Sequence, residues 1–228
     1  MGKTSIFDIA GPIMVGPSSS HTAGACKIGQ FARAIFHQTP KKVTFYLHGS
    51  FGEVYKGHAT DMALLAGVMK FRTSDPRISE AFEIADKKGL KYKFIPKDLG
   101  AHCHPNSVKV VMENGSAKME VTGCSIGGGM VEIKKIDGFN VDIKGTAGKC
   151  LSLLACHDTK PQTYKTLCSK LQNLGIELSD IVQTKFKDKL LTIFGTEGHR
   201  ITLPEVVELE KGTGGVEFIR SLSKLQTQ

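Results

Sequence analysis

Residues 151–219 read LSLLACHDTKPQTYKTLCSKLQNLGIELSDIVQTKFKDKLLTIFGTEGHRITLPEVVELEKGTGGVEFI, and the order of periodicities within them decides how this part of the chain folds. Leu151 to Cys156 is an apolar run of strand length, and Gln162 to Leu174 carries its apolar residues at helical spacing. Gly175 follows as a helix C-cap, because glycine takes the left-handed conformation without a Cβ penalty. Glu177 to Thr184 and Lys189 to Phe194 read as strands joined by a turn at Lys185 to Asp188. Pro204 suits the first turn of a helix running to Leu209, where the amide it lacks has no intrahelical partner. A strand from Gly215 to Ile219 completes a βαββαβ order over about eighty residues, the ferredoxin-like pattern.

Working back from that segment, Asp137-Gly138, Gly145 and Gly148 punctuate a joint and place a domain boundary near Val141 to Gly148. The chain ahead of it mixes both periods. Ala25, Ile28, Phe31, Ala32 and Ile35 mark a helix, entered from a loop at Gly11 to Thr22 whose hydroxyls can cap it. Lys42 to His48 alternates like a strand, Asp61 to Phe71 reads as a buried helix, and Ser79 to Lys88 as a short amphipathic one. Strand-like runs follow at Tyr92 to Ile95, Ser107 to Glu113 and Ala117 to Thr122, the last two joined by the hairpin signal Asn114-Gly115. A glycine-rich stretch from Gly123 to Met130 leads to a strand at Val131 to Ile136. The expected architecture is α+β in two domains, at residues 4–145 and 149–225.

Composition bounds what such a chain does. Its 228 residues with 40% hydrophobic content suffice for two cores, and disorder is excluded. The 30 basic and 22 acidic residues give a formal charge of +8, compatible with nucleic-acid contact, an anionic ligand or plain solubility. The excess is spread, with 19 basic against 13 acidic residues before Gly148 and 11 against 9 after it. No nucleic-acid reader motif accompanies it, so no nucleic-acid partner is expected. Lys91 and Lys93 alternate with Tyr92 and Phe94, as on an edge strand where lysine discourages strand addition. The six cysteines form neither a C-x-x-C nor a zinc-like pair of pairs, and read as reduced thiols. Without a signal-peptide stretch or an apolar run of about 18 residues, a soluble cytoplasmic protein with no membrane contact is expected.

Polar constellations carry the functional reading. Ser18-Ser19-Ser20-His21-Thr22 packs four hydroxyls and an imidazole into five residues just ahead of a helix, where exposed amides can hold a small anion such as a carboxylate. A serine-rich loop with an N-cap is the alternative. Gly57-His58-Ala59-Thr60-Asp61 sets a histidine in a glycine turn, with Asp61 as orienting partner or helix cap. An imidazole titrating near neutrality can give or take a proton there. His102 and His104 at i and i+2 are a metal pair only with further ligands, which are not apparent, and His104 with Asn106 fits a polar substrate better. Ser125 precedes Gly127-Gly128-Gly129, where backbone can approach a ligand, but the spacing is that of neither a dinucleotide nor a Walker phosphate loop. His37, His48, His157 and His199 read as surface or packing residues.

Taken together, GPSSSHTAGA at 16–25, GSFGEVYKGHATDMALLAG at 49–67, HPNSV at 104–108 and GCSIGGGM at 123–130 closely resemble the iron-sulfur-dependent L-serine dehydratases. More narrowly, the chain is similar over essentially its whole length to the separate beta subunit of the two-subunit form. The resemblance implies a serine dehydratase beta domain, also called an allosteric substrate-binding domain, at 4–145, and an ACT domain at 149–225. It implies elimination of water from L-serine to give pyruvate and ammonia. It also implies a 4Fe-4S cluster ligated by a partner alpha subunit and not by this chain, with homodimerisation besides.

By matching position, the resemblance puts Ser18, Ser19, Ser20 and Thr22 in the serine pocket, with Thr60, Asp61, Asn106, Ser125, Gly127 and Gly128 as further substrate contacts. His58, His21 and His104 are the implied acid/base residues. His58 is taken as the proton acceptor, on its glycine turn and the neighbouring Asp61. A purely regulatory serine-binding subunit is the alternative; such a pocket needs hydroxyls and amides but not three proton-transfer groups. One departure concerns the ACT segment, where Asp158-Thr159-Lys160-Pro161-Gln162 has Gln162 in place of the glycine of a D-x-P-G-like turn. That leaves subunit pairing and serine sensing both open for the second domain.

Overall fold

The computed structural model describes residues 14–145, 151–197 and 201–222. The outer ends of both expected domains, Gly11 to Ile13 of the entry loop, Gly148, Cys150 and His199 lie outside the described residues. The chain is mixed α and β and divides into two compact units, one of residues up to 137 with 141–145, the other of 138–140 with 146 onward.

In the first unit a π-helical turn, Ser19–Gly24, runs directly into helix α1, Ala25–Phe36. Strand β1 follows at Lys42–Leu47, then α2 at Gly49–Val54 and α3 at Thr60–Val68. A 3-10 turn at Pro76–Glu80 leads into α4, Ala81–Lys87, and the strands β2 (Lys91–Pro96), β3 (Ser107–Asn114), β4 (Ala117–Gly127), β5 (Met130–Ile136) and β6 (Phe139–Gly145) complete one sheet. Its order is β2-β1-β3-β4-β5-β6. The β1–β2 pair is parallel, which requires the intervening helices as a crossover, whereas β1–β3, β3–β4 and β4–β5 are antiparallel.

Alternation along the strands explains which face is covered. Val43, Phe45 and Leu47 are buried together with Val108, Val110 and Met112. On the other parity Tyr46 lies between the Nζ atoms of Lys97 and Lys109, 5.3 and 4.9 Å from its ring centre, and Lys109 pairs with Glu120. A sheet with one face on the core and one in water disperses lysines in this way. Helix α3 is apolar almost all round and buried along nearly its whole length, so it is an internal element. It crosses α1 at two glycines. A Cβ at Gly67 would stand 2.9 Å from the Cys26 carbonyl carbon and 3.0 Å from the Gln30 amide nitrogen, and one at Gly29 would stand 3.0 Å from the Gly67 Cα.

The second unit has the element order read from sequence: β7 (Leu151–Asp158), α5 (Pro161–Asn173), β8 (Glu177–Phe186), β9 (Lys189–Glu197), α6 (Leu203–Gly212) and β10 (Val216–Ser221). Its sheet order is β10-β7-β9-β8, with every neighbouring pair antiparallel. Leu153, Ala155, Phe194 and Ile219 form one core cluster with Leu167 and Leu171 of α5 and Val206 and Leu209 of α6. Thr202 and Glu205 form a capping box at the start of α6, with Pro204 in its first turn. Gly175, at φ +74°, follows the C-cap of α5 as read.

Three details differ from the sequence reading. Gly49–Val54 is a helix, and Phe139–Gly145 is a sixth strand in the stretch read as a joint. The glycine-rich stretch after Gly123 is mostly strand, with β4 continuing to Gly127 through two register shifts. Lys91 and Lys93 are exposed on β2, which is the edge strand that their alternation indicated.

Candidate active site

Two helix starts meet in the first unit and bring two of the three histidines together. Ser18 caps the π-helical turn, its Oγ accepting from the His21 amide at 3.1 Å, while the Thr22 amide donates to the Ser18 carbonyl. These bonds turn the His21 side chain toward the residues ahead of α3. There the Thr22 hydroxyl donates to the His58 carbonyl at 3.1 Å. The His21 and His58 rings lie 5.0 Å apart, tilted by 38°. Ala59, next to His58, has a left-handed backbone at φ +55° that alanine adopts only under strain.

The polar partners of the two rings differ. His58 Nδ1 lies 3.4 Å from the Val54 carbonyl, an acceptor that can take only an N–H. That tautomer leaves Nε2 with its lone pair, the form a proton acceptor needs. His21 Nε2 is 3.0 Å from the Ser50 hydroxyl, and its ring meets Phe51 edge-on at 5.3 Å. Burial holds the His21 imidazole below its ordinary proton affinity, and the neighbouring His58 adds to this.

Asp61 orients no imidazole: its Oδ1 accepts from the Met62 amide at 2.9 Å, inside the first turn of α3, and the Val54 carbonyl takes the orienting place. Nor is it the helix cap, a position that Ala59 holds without a side-chain bond, and burial raises the Asp61 carboxyl above the usual range. Thr60 and Ser125 are buried with hydroxyls that have no hydrogen-bond partner among the described residues. A Cβ at Gly24 would stand 2.7 Å from that of Ser125, so β4 and the start of α1 touch here. Gly127 and Gly128 stand at the tip of the β4–β5 hairpin with positive φ, which glycine alone adopts freely.

His104 stands apart from the other two. It is exposed on the turn before β3, where its Nδ1 accepts from the Asn106 amide at 3.1 Å. The backbone ties this turn to the site: the Ser125 amide donates to the Asn106 carbonyl at 3.0 Å and the Phe51 amide to the Pro105 carbonyl at 3.4 Å. Ser50 is the polar contact that the sequence reading missed; only its place in GSF ahead of the histidine turn could have pointed to it. His48 and His157 are packing residues as read, His157 fully buried with Nδ1 2.6 Å from the Asp158 carbonyl and Nε2 2.7 Å from the Thr192 hydroxyl.

Two imidazoles 5.0 Å apart beside a serine-rich helix start, on an α+β chain, bring together side chains of the acid–base type. Comparison with known proteins narrows this. A family model described as serine dehydratase beta chain matches residues 5–135. The L-serine dehydratase beta chain of Peptoniphilus asaccharolyticus is 39% identical over 224 residues, covering 92% of this chain and 100% of that one. A probable L-serine dehydratase beta chain of Bacillus subtilis is 40% identical over 178 residues, 78% of this chain and 79% of that one. An L-serine dehydratase of Helicobacter pylori matches 153 residues at 31% identity, which is 58% of this chain and 32% of that protein. The chain belongs to the serine dehydratase beta chain family. Among its described residues no helix is long and apolar enough to cross a membrane.

Proposed function

We propose that this chain, as the beta chain of an L-serine dehydratase, binds L-serine and supplies the proton acceptor for loss of water from it. The observation that carries the reading is the His21–His58 pair at 5.0 Å, with His58 Nδ1 turned to the Val54 carbonyl and Nε2 free to accept. The serine carboxylate is held by the amides and hydroxyls of Ser18, Ser19, Ser20 and Thr22 at the helix start. Thr60, Asp61, Asn106, Ser125, Gly127 and Gly128 enclose the same region. His58 Nε2 takes the Cα proton as the Cβ–O bond breaks, giving 2-aminoacrylate and water. Tautomerisation and hydrolysis then give pyruvate and ammonia. His21 and His104 are the further acid/base groups, and His104, on its exposed turn, is the one placed to face a partner chain.

Departure of hydroxide needs an electrophile at the other end of the substrate. The described residues of this chain do not fit an iron–sulfur cluster, since they gather no group of three or more His, Cys, Asp and Glu side chains. Burial also pushes the Cys26 thiol up to about 12, away from the thiolate a cluster requires. The 4Fe-4S cluster is accordingly assigned to a partner alpha subunit, which would supply the Lewis acid. The whole assembly is cytoplasmic in this reading, with neither a nucleic-acid partner nor membrane contact.

The second unit, with βαββαβ order and sheet order β10-β7-β9-β8, is read as a ferredoxin-like ACT domain that pairs subunits. Its edge strand β8 is the surface proposed for homodimerisation. Ile181 and Val182 are 39% and 57% exposed there, an apolar stretch of edge that pairing of two copies would cover.

The test is anaerobic reconstitution with an alpha chain and assay of pyruvate from L-serine. His58→Ala is expected to lower turnover by roughly 10²–10⁴-fold, the scale of a lost general base. Near wild-type turnover in that variant would favour the purely regulatory reading, and pyruvate formed by this chain alone would overturn the division of labour.

A further inference from the structure

Ser50 has no role in that reading, yet among the described residues it is the one hydrogen-bond partner of the His21 side chain. It is the second residue of α2, half-buried, with Oγ 3.0 Å from His21 Nε2. Three backbone contacts fix its position. The His48 amide donates to the Ser107 carbonyl at 3.0 Å and the Phe51 amide to the Pro105 carbonyl at 3.4 Å, while a Cβ on Gly49 would meet the Pro105 carbonyl oxygen at 2.8 Å. The segment carrying Ser50 is thus clamped against the turn before β3.

The bond can run in either direction, because a hydroxyl both gives and accepts a hydrogen and the tautomer of His21 sets which. A serine hydroxyl has one hydrogen to give, and His21 Nε2 is the one partner recorded for Ser50 Oγ among the described residues. Given to Nε2, that hydrogen leaves Nδ1 as the N–H of a neutral ring. A donor to the unprotonated nitrogen favours the neutral form, and the adjacent His58 ring and partial burial of His21 act in the same sense.

Resting on the assignment of His58 as proton acceptor, we propose that Ser50 is a positioning residue whose hydroxyl donates to His21 Nε2, holding His21 neutral and protonated at Nδ1 beside His58. The consequence for the reaction is electrostatic. When His58 takes the Cα proton it becomes an imidazolium, and a second imidazolium at ring-contact distance would oppose that step. A neutral His21 does not, and its Nδ1–H remains available to donate to a substrate oxygen.

Two readouts test this in the full chain. Imidazole nitrogen NMR of the chain without any partner should show His21 in the Nδ1–H tautomer. Ser50→Ala should mix its tautomers and raise its titration midpoint, Ser50→Thr should restore the wild-type pattern, and Ser50→Cys, a weaker donor of similar size, should fall between. In the reconstituted enzyme, the acid limb of kcat/KM for Ser50→Ala should move up by roughly 0.5–1 pH unit, since His21 protonates earlier. An unchanged His21 tautomer and titration in Ser50→Ala, or an acid limb superimposable on wild type, would overturn the proposal. Failure of the His58 assignment shows separately, as retained turnover in His58→Ala, and leaves the NMR readout unaffected.

Discussion

The separation of the two imidazoles is set by a helix crossing several residues away, and Gly67→Ala tests that dependence. His21 precedes α1 and His58 precedes α3, and these helices touch where Gly67 lies on the Cys26 and Gln30 backbone. A Cβ placed 2.9 Å from the Cys26 carbonyl carbon, and nearer still to its oxygen, meets no side chain that could rotate away, so the helices must part by about 1 Å. Overpacking of this kind costs roughly 1–3 kcal/mol, and contact with main chain puts it at the upper end. Alanine regains about 1 kcal/mol over glycine in a helix interior. The net loss is about 2 kcal/mol, which for a chain of this size lowers Tm by roughly 4–8 °C. Displacing a proton acceptor by about 1 Å can cost on the order of 10²-fold in rate. Calorimetry of the full chain reads the first effect, and pyruvate formation in the reconstituted enzyme the second. Gly214→Ala, whose Cβ would meet nothing within 4 Å, is the control. A Gly67→Ala chain that melts and turns over like wild type would show that the crossing does not position the histidines.

Four further outcomes are expected. Because His21 binds its proton less readily in the folded chain than at its ordinary value of 6.5, stability is fully present above about that pH and falls as pH drops towards the folded-state value. In His21→Gln the slope of Tm against pH over that window should flatten, and an unchanged slope would count against the burial argument. Ala59→Gly, at φ +55°, should relieve left-handed strain and raise stability by up to about 1 kcal/mol in denaturant titration, with loss of stability as the contrary result. With its thiol pushed up to about 12, Cys26 should be alkylated after the half-buried Cys103 and Cys168, as read by peptide mass mapping. Val182→Lys, which sets a charge on the exposed apolar edge of β8, should weaken self-association in sedimentation, and unchanged association would count against pairing of β8 with its own copy.

How much of this was legible depends on whether the signal was local. The second unit's element order followed from period and turn chemistry, because its strands and helices are consecutive and share one local core. The parallel pairing of β1 with β2 had no such signal, since it depends on a crossover through three helices. Helix α2 escaped because GSFGEV has two glycines and no apolar period; it is held by its contacts with the β3 turn rather than by propensity. Strand β6 did carry alternation, at Phe139, Val141 and Ile143, but the surrounding glycines read as punctuation. At Gly123 the glycine marked a close approach inside a strand, where a Cβ would meet Ile133 and Ile28, and not a loop. His21 and His58 were legible as single residues. Their pairing, the Val54 carbonyl and Ser50 were not, because they come from segments joined only by tertiary packing.

The same distinction bears on the loop after β7, where the replacement of glycine by Gln162 left two readings open. The structure fills that loop from within. Asp158 accepts from the Lys160 amide at 3.1 Å, its own amide donates to the Gly215 carbonyl at 2.9 Å, and the Thr163 hydroxyl holds its carboxyl below the usual range. Close approach is supplied by Gly215 from the opposite segment, where a Cβ would stand 2.8 Å from the Asp158 Cγ. An amino acid entering there would have to displace bonds that the chain already makes to itself, whereas the Ser19 and Ser20 amides open the π-helical turn that runs into α1, a helix start of the kind that takes a carboxylate. The balance of donors therefore supports the serine site proposed for the first unit over one in the loop after β7.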